Sequence, residues 1–351
     1  MNFNIENITR ESVKRLKPYS SARDEFKDFN QNMIFLDANE NPFNNGVNRY
    51  PDPHQIELKK EIENLKKISM ENILLGNGSD EILDLIFRAF CESKKDNIII
   101  TPPTYGMYKV LAEINDVDCR EAILNQDFSL NEQHIIDKTD VQTKVLFLCS
   151  PNNPTANSFD KRIIEIIIKN FKGLVVIDEA YGDFSNQESW SSRLEEFPNL
   201  IVCQTLSKAY GMAGIRLGMC FASKEIITVL KKIKPPYNVN QLTQQKALEL
   251  LKDQKGYQKQ LRLIIQERER LKNELGKITF VNKIHSSDTN FILIEVDDAT
   301  QRYNQLIEKG IVIRNRTTQV HCQNCLRITV GMPEENNQLL EALIELKVKR
   351  E

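Results

Sequence analysis

No apolar run in this 351-residue chain approaches the ~20 residues that span a bilayer. Such runs are short, and the one around Ile163 to Ile168 is cut by Glu165. Neither sign of charge is in excess: 47 Lys and Arg stand against 49 Asp and Glu, leaving −2 at pH 7 and a pI near 6.2. A nucleic-acid footprint usually shows as a basic domain with pI above ~9, so no nucleic-acid partner is expected. A local cationic pocket for a small anion stays open. The first residues, MNFNIENITRESVKRLKPYS, lack the apolar core of a secretion signal. There is no internal repeat, no low-complexity segment and no linker rich in Gly, Ser and Pro. A soluble, cytoplasmic protein with no membrane partner is the expectation. Cysteines number seven, an odd count scattered along the chain. Disulfide frameworks belong to short secreted chains, so reduced thiols are expected. Cys322 and Cys325 form a C-x-x-C with His321 beside it. A structural zinc site wants four ligands, and no second pair with ligand spacing occurs, so no metal is expected.

What is present is ordinary in amount, 27% charged and 40% apolar, and informative in order. The length suits two domains or one large one. From about residue 54 to 255, helical patterns alternate with short apolar strands. Residues 54–67 are amphipathic, and 79–90 form a helix with Ser79 as its N-cap candidate. Residues 73–75, 97–100, 144–149, 174–177, 200–203 and 219–222 are predicted as buried strands. That alternation implies an α/β fold whose mostly parallel sheet is covered on both faces, with ligands at the carboxyl ends of its strands. The last hundred residues differ. A long charged helix over about 257–274 leads to three strands at 290–296, 310–314 and 326–330, with helices near 300–309 and 336–347. The predicted organisation is an N-terminal arm over 1–30, a large α/β domain over 31–255 and a small α+β domain over 256–351. The active site is expected in the cleft between the two domains.

The chemistry-bearing residues fall at predicted strand ends. Lys208 lies just past an apolar strand in Thr205-Leu-Ser207-Lys208-Ala-Tyr-Gly211. Lysine is rarely inside without a partner, and a Schiff-base lysine needs a lowered pKa. Arg216 follows eight residues on, a candidate partner for a phosphate beside the Ser207 and Thr205 hydroxyls. Alone, that pattern favours a solvated lysine. Asp178 ends the strand 174–177, where it either caps the next segment or holds a pyridine nitrogen protonated. Gly76-Asn-Gly78-Ser79-Asp80 opens a helix after a strand, and backbone N–H groups at a helix start can cradle phosphate. It is not the dinucleotide fingerprint, which would need glycine where Glu81 stands. Tyr105 follows another strand, as a core ring or a stacking ring. Asn152 and Asn153 end the next, in a self-capping turn or as buried amides that need partners.

Taken together, Lys208, Asp178, Asn153-Pro154-Thr155, Tyr105 and Gly78-Ser79-Asp80 resemble, in order and spacing, the fold-type-I pyridoxal-phosphate aminotransferases. Leu16-Lys-Pro-Tyr19-Ser-Ser-Ala-Arg23, Leu36-Asp-Ala-Asn-Glu-Asn-Pro42, Arg49-Tyr50-Pro-Asp-Pro53 and Cys325-Leu-Arg327-Ile-Thr-Val-Gly331 are similar to the histidinol-phosphate aminotransferase branch, from about residue 10 to the end. The resemblance implies pyridoxal 5'-phosphate as cofactor, with Lys208 as its Schiff-base lysine and proton shuttle. It implies Asp178 at the pyridinium nitrogen and Tyr181 with Asn153 at the phenolic oxygen. Tyr105 would stack on the ring. Gly78, Ser79, Asp80, Thr205, Ser207 and Arg216 would surround the cofactor phosphate, with Tyr50 reaching in from the second subunit of a homodimer. Tyr19, Arg314 and Arg327 would receive the anionic end of histidinol phosphate or of glutamate and 2-oxoglutarate. One departure is visible: the family reads N-P-T-G, and position 156 is Ala. If that residue needs φ > 0, alanine costs about 1 kcal/mol. Alternatives are a threonine-phosphate decarboxylase or an aromatic amino acid aminotransferase on the same scaffold. A non-enzymatic cofactor-binding regulator would want an added helix-turn-helix domain, for which the chain starts too near the catalytic part.

Overall fold

The computed structural model describes residues 3–19 and 34–346. Residues 1, 2 and 20–30 of the arm expected over 1–30, with the 20–23 end of its motif, lie outside the described residues.

The strands β1 (Ile73–Asn77), β2 (Asn97–Ile100), β3 (Asp118–Glu121), β4 (Thr143–Cys149), β5 (Leu174–Asp178), β6 (Leu200–Thr205) and β7 (Leu217–Ala222) form one sheet. Its order is β1-β7-β6-β5-β4-β2-β3. Strand β7 is antiparallel to both neighbours, and the other pairings are parallel. All strands but β7 therefore run the same way, and the carboxyl ends of β1, β2, β4, β5 and β6 share one edge. Alternate residues of each strand enter opposite cores, as the two-residue period of a strand requires. Leu75, Ile99, Leu146, Leu148, Val175 and Val202 face one side. Leu74, Ile98, Phe147, Val176 and Ile201 face the other. Burial on both faces explains why these strands read as near-continuous apolar runs.

Around this sheet and after it lie α1 (Glu11–Arg15), α2 (Ile56–Lys66), α3 (Ser79–Phe90), α4 (Met107–Ile114), α5 (Glu132–Lys138), α6 (Lys161–Asn170), α7 (Lys224–Ile233), α8 (Gln241–Leu251) and α9 (Gln254–Leu275). Helix α3 shows why such segments fold as they do. Its apolar residues Ile82, Leu83, Leu85, Ile86, Phe87, Ala89 and Phe90 are all buried, while its acidic first turn complements the helix dipole. The N-cap is Gly78 rather than the expected Ser79, which is the first helical residue.

Beyond α9 the chain builds β8 (Val281–Ile284), β9 (Phe291–Val296), α10 (Ala299–Glu308), β10 (Arg314–Asn315), β11 (Cys325–Thr329) and α11 (Pro333–Glu345). The strands form an antiparallel sheet ordered β10-β11-β9-β8. Three strands were expected here. The fourth, β8, is a half-exposed edge with charged Lys283 in it, so it lacks the apolar run of a buried strand. The expected strand over 310–314 shrinks to two residues. Gly310 turns out of α10 at φ +78°, and the N–H groups of Gly310 and Ile311 donate to the carbonyls of Ile307 and Leu306, which withdraws them from the sheet. The small sheet packs on the large domain through Phe291, which shares a buried cluster with Ala156, Tyr181, Phe184 and Ala209.

Candidate active site

Two glycines at the edge where the parallel strands end stand where a side chain would collide with its neighbours. Gly78 has φ +81°, and a Cβ on it would stand 2.7 Å from Arg216 Nη2. On β7, a Cβ at Gly218 would lie 2.4 Å from the Ser79 backbone nitrogen. These two glycines let β7 and the start of α3 approach. The first N–H groups of α3 have no side-chain cap, so they are available to an anion. Arg216 sits opposite. Its Nη1 donates to Ser207 Oγ at 3.5 Å and to the Ala213 carbonyl at 3.3 Å. Thr205 Oγ1 lies 3.0 Å from Ser207 Oγ and accepts the Ser207 backbone N–H at 3.1 Å. Helix-start amides, two hydroxyls and a guanidinium thus converge, a donor set for a phosphate. The Asp80 carboxylate is oriented otherwise. It accepts from Tyr105 Oη at 3.0 Å and lies 3.7 Å from Arg216, so it orients those two groups.

Asp178 closes β5 and is 3% exposed. Tyr108 Oη donates to its Oδ2 at 2.7 Å, and the Ala180 N–H donates to Oδ1 at 3.0 Å. Burial pushes the carboxyl above its usual range, and those two donors pull it back. Tyr108 was not among the residues singled out from the sequence. Its ring stacks on Phe147 at 5.0 Å and meets Tyr105 edge-on, so it looks like an ordinary core tyrosine. The available signal was its place three residues after Tyr105 at a helix start.

Lys208 follows β6 with its Nζ 5.7 Å from the Tyr181 ring centroid. Desolvation, then the nearby Arg327 and Arg216 charges, lower its pKa, which raises the neutral fraction of the amine. Arg327 arrives from β11 of the small domain. Its Nη1 donates to Asn153 Oδ1, and its guanidinium lies 5.1 Å from the Phe291 ring centroid. Phe291 meets Tyr181 edge-on at 5.1 Å. Arg314 is paired directly across from Arg327 in the small sheet. The two domains therefore meet where Lys208, Asn153, Tyr181 and Arg327 gather.

Ala156 has φ +69° and is fully buried. Left-handed backbone costs an alanine ~1–2 kcal/mol. Burying its methyl recovers ~0.8 kcal/mol, and a glycine would cost ~0.5–1 kcal/mol in chain entropy. These nearly cancel, which explains why alanine is tolerated. Ala156→Gly is expected to shift unfolding free energy by less than ~1 kcal/mol, measured by urea titration.

Tyr19 and Tyr50 do not join this cluster within the chain. Tyr19 is 75% exposed and lines a cavity with Pro53, Lys231 and Lys234. Tyr50 stacks on Tyr237 at 4.5 Å and lines a cavity with Glu40 and Gln241. Cys322 and Cys325 are buried in the core that joins the small sheet to the large domain.

The family model "Aminotransferase class I and II" matches residues 21–343. The chain belongs to this family. Among curated relatives, the aminotransferase is 60% identical over 342 residues to the histidinol-phosphate aminotransferase of Flavobacterium johnsoniae, covering 97% of this chain and 98% of that one. It is 58% identical over 345 residues to the same-named protein of Christiangramia forsetii, covering 98% and 99%. Of solved structures, the histidinol-phosphate aminotransferase of Clostridium acetobutylicum matches with TM-score 0.79 and 28% identity, over 86% of this chain and 91% of that one. The fold-type-I architecture expected from the sequence is thereby established.

Proposed function

We infer that this aminotransferase moves the amino group of L-histidinol phosphate to 2-oxoglutarate, giving imidazole-acetol phosphate and glutamate, in histidine biosynthesis. The observation that carries this is 58–60% identity, end to end, with proteins of that name. The decarboxylase and aromatic-transaminase readings have no comparable support. The cofactor is pyridoxal 5'-phosphate.

The residues present fit that cofactor. A Cβ at Gly78 would fill the space before Arg216, and the donors around it suit a phosphate. When bound, the cofactor supplies an electron-withdrawing ring that accepts the electron pair released at the donor's α-carbon. The α3 start at Gly78 and Ser79, with Ser207 and Arg216, would hold its phosphate, and Thr205 would orient Ser207. Asp178 would keep a proton on the ring nitrogen, a charge match for a carboxylate that burial otherwise disfavours. Tyr105, aimed by Asp80, would lie on the ring face. Asn153 and Tyr181 would hydrogen-bond the phenolic oxygen. Lys208 would accept the α-proton at Nζ and return it.

Arg327, Arg314 and Tyr19 are assigned to the substrate's anionic end. Arg327→Ala is expected to lower kcat/KM for both amino donors by about 10- to 100-fold, the value of a charge-assisted hydrogen bond. Arg314→Ala should harm histidinol phosphate more than glutamate, because a phosphate ester has more charge and more acceptor oxygens. A donor panel including histidinol phosphate, aromatic amino acids and O-phosphothreonine tests both points. Preference for an unphosphorylated aromatic donor, or carbon dioxide release from O-phosphothreonine without a keto acid, would overturn the assignment.

A cytoplasmic homodimer completes the reading, with the small domain beginning near residue 256. Among the described residues no helix is long and apolar enough to cross a membrane. Ile34, Leu36 and Phe43 are 87%, 89% and 80% exposed, and Ile34 lines a cavity with Tyr50, apolar surface that a second copy would cover. Tyr50 and Tyr19, apart from the site in their own chain, would then serve the neighbour's. Mixing inactive Lys208→Ala with an inactive Tyr50→Ala protein should restore activity through hybrid dimers. A fully active monomer in sedimentation would contradict it.

A further inference from the structure

Two residues beyond Arg314 stands another arginine, Arg316, to which neither the motifs nor the roles above give a part. The ladder continues past β10, since the Arg316 N–H donates to the Cys325 carbonyl at 2.8 Å. Alternation puts Arg314 and Arg316 on the face of the sheet that carries Cys325 and Arg327. That face looks toward the large domain. Cys325 and its neighbour strand's Leu293 enter the large domain's core, whereas Leu326 and Ile328 enter the small domain's own. Three guanidiniums therefore share the face that closes over Lys208.

No carboxylate pairs with any of the three among the described residues. Arg316 Nε and Arg327 Nε are buried without a hydrogen-bond partner, as are Thr317 Oγ1 and Gln319 Oε1 beside them. Burial and the adjacent Arg327 and Arg314 charges hold Arg316 down at about 10, so it remains a cation at neutral pH, under repulsion. An arrangement of like charges with idle donors is costly unless an anion completes it. The charge also exceeds what a carboxylate needs. A carboxylate brings one charge and two oxygens; a phosphate monoester brings ~1.5–2 charges and three acceptor oxygens.

We propose that Arg316 is a specificity-determining residue that, with Arg314 and Arg327, forms a pocket matched to a phosphate dianion and distinguishes the phosphorylated amino donor from glutamate. This rests on the histidinol-phosphate reading. Arg327 suffices for the carboxylate, and Arg314 and Arg316 engage the additional charge.

The test uses the cofactor-loaded enzyme, whose own phosphate cradle is filled, with Arg316→Gln and Arg316→Lys. Arg316→Gln should raise KM for L-histidinol phosphate about 10- to 100-fold with kcat little changed. Glutamate kcat/KM should stay within about threefold, the range of an unimportant surface charge. Inorganic phosphate titrated calorimetrically into the same proteins should bind about tenfold more weakly to Arg316→Gln. Arg316→Lys should recover part of the loss, since it keeps the charge but not the guanidinium fork. The melting temperature should hold or rise as repulsion is relieved. Equal losses on both donors, an unchanged KM for histidinol phosphate, or unchanged phosphate binding would overturn the proposal. Wild-type enzyme that fails to prefer histidinol phosphate over histidinol would overturn the underlying reading as well, so the two failures are told apart by the wild-type arm.

Discussion

Lys208→Ala is expected to lose transamination by on the order of 10⁴-fold or more while still binding pyridoxal phosphate. The size follows from what one amine does at this position. It stands past the end of β6 with its pKa lowered by desolvation and by Arg327 and Arg216, and no carboxylate lies within ion-pair distance of its Nζ among the described residues. No other side chain gathered here combines reach with an amine whose pKa is lowered. The arginines stay protonated, and burial raises the pKa of the Tyr181 phenol. Affinity for the cofactor should survive, because the Gly78 turn, the α3 amides, Ser207 and Arg216 do not depend on Lys208. Absorbance of the dialysed variant measures retention, and single-turnover kinetics measures the loss. Borohydride treatment of wild-type holoenzyme should link the pyridoxyl group to Lys208, read by peptide mass. Linkage at another lysine would sink the assignment.

That Lys208 and Asp178 could be found from the sequence has a physical reason. Strands buried on both faces read as apolar runs, and a charged residue at the end of such a run departs sharply from its surroundings. The apolar runs of β1, β2, β4, β5 and β6 all give way to polar, charged or turn-forming residues, and in a parallel sheet those breaks share one edge. Where the pattern is weak the sequence is silent. Strand β8 is an exposed edge, and β10 is shortened by the turn that closes α10. Tyr108 contributes through one hydroxyl while its ring is buried like any core aromatic. Arg316 becomes informative only through register, since its face depends on pairing with Cys325 across the ladder. Gly78 rather than Ser79 caps α3, because the close approach to Arg216 decides that position more than capping propensity does.

Asp178→Asn should lower kcat on the order of 10³-fold, ~4 kcal/mol, with little change in fold or melting temperature. Two accounts of this residue make different forecasts. If it merely caps the segment after β5 through the Ala180 N–H, asparagine replaces it at a cost of ~1 kcal/mol or less. If its charge holds the ring nitrogen protonated, asparagine keeps the shape and removes what matters. The surroundings favour the second. A carboxylate this buried, with its pKa lifted by desolvation, is an expensive cap that a serine would provide more cheaply. Tyr108 offers a discriminating companion. Tyr108→Phe leaves the charge and removes one donor, so it should cost about tenfold, the value of a hydrogen bond to a charged group. It should also shift the pH dependence of the bound cofactor's absorbance, which a packing defect would not do. Glutamate and histidinol phosphate should lose equally in Asp178→Asn, because the ring nitrogen serves both half-reactions. Near-wild-type turnover in that variant would return Asp178 to the role of a cap.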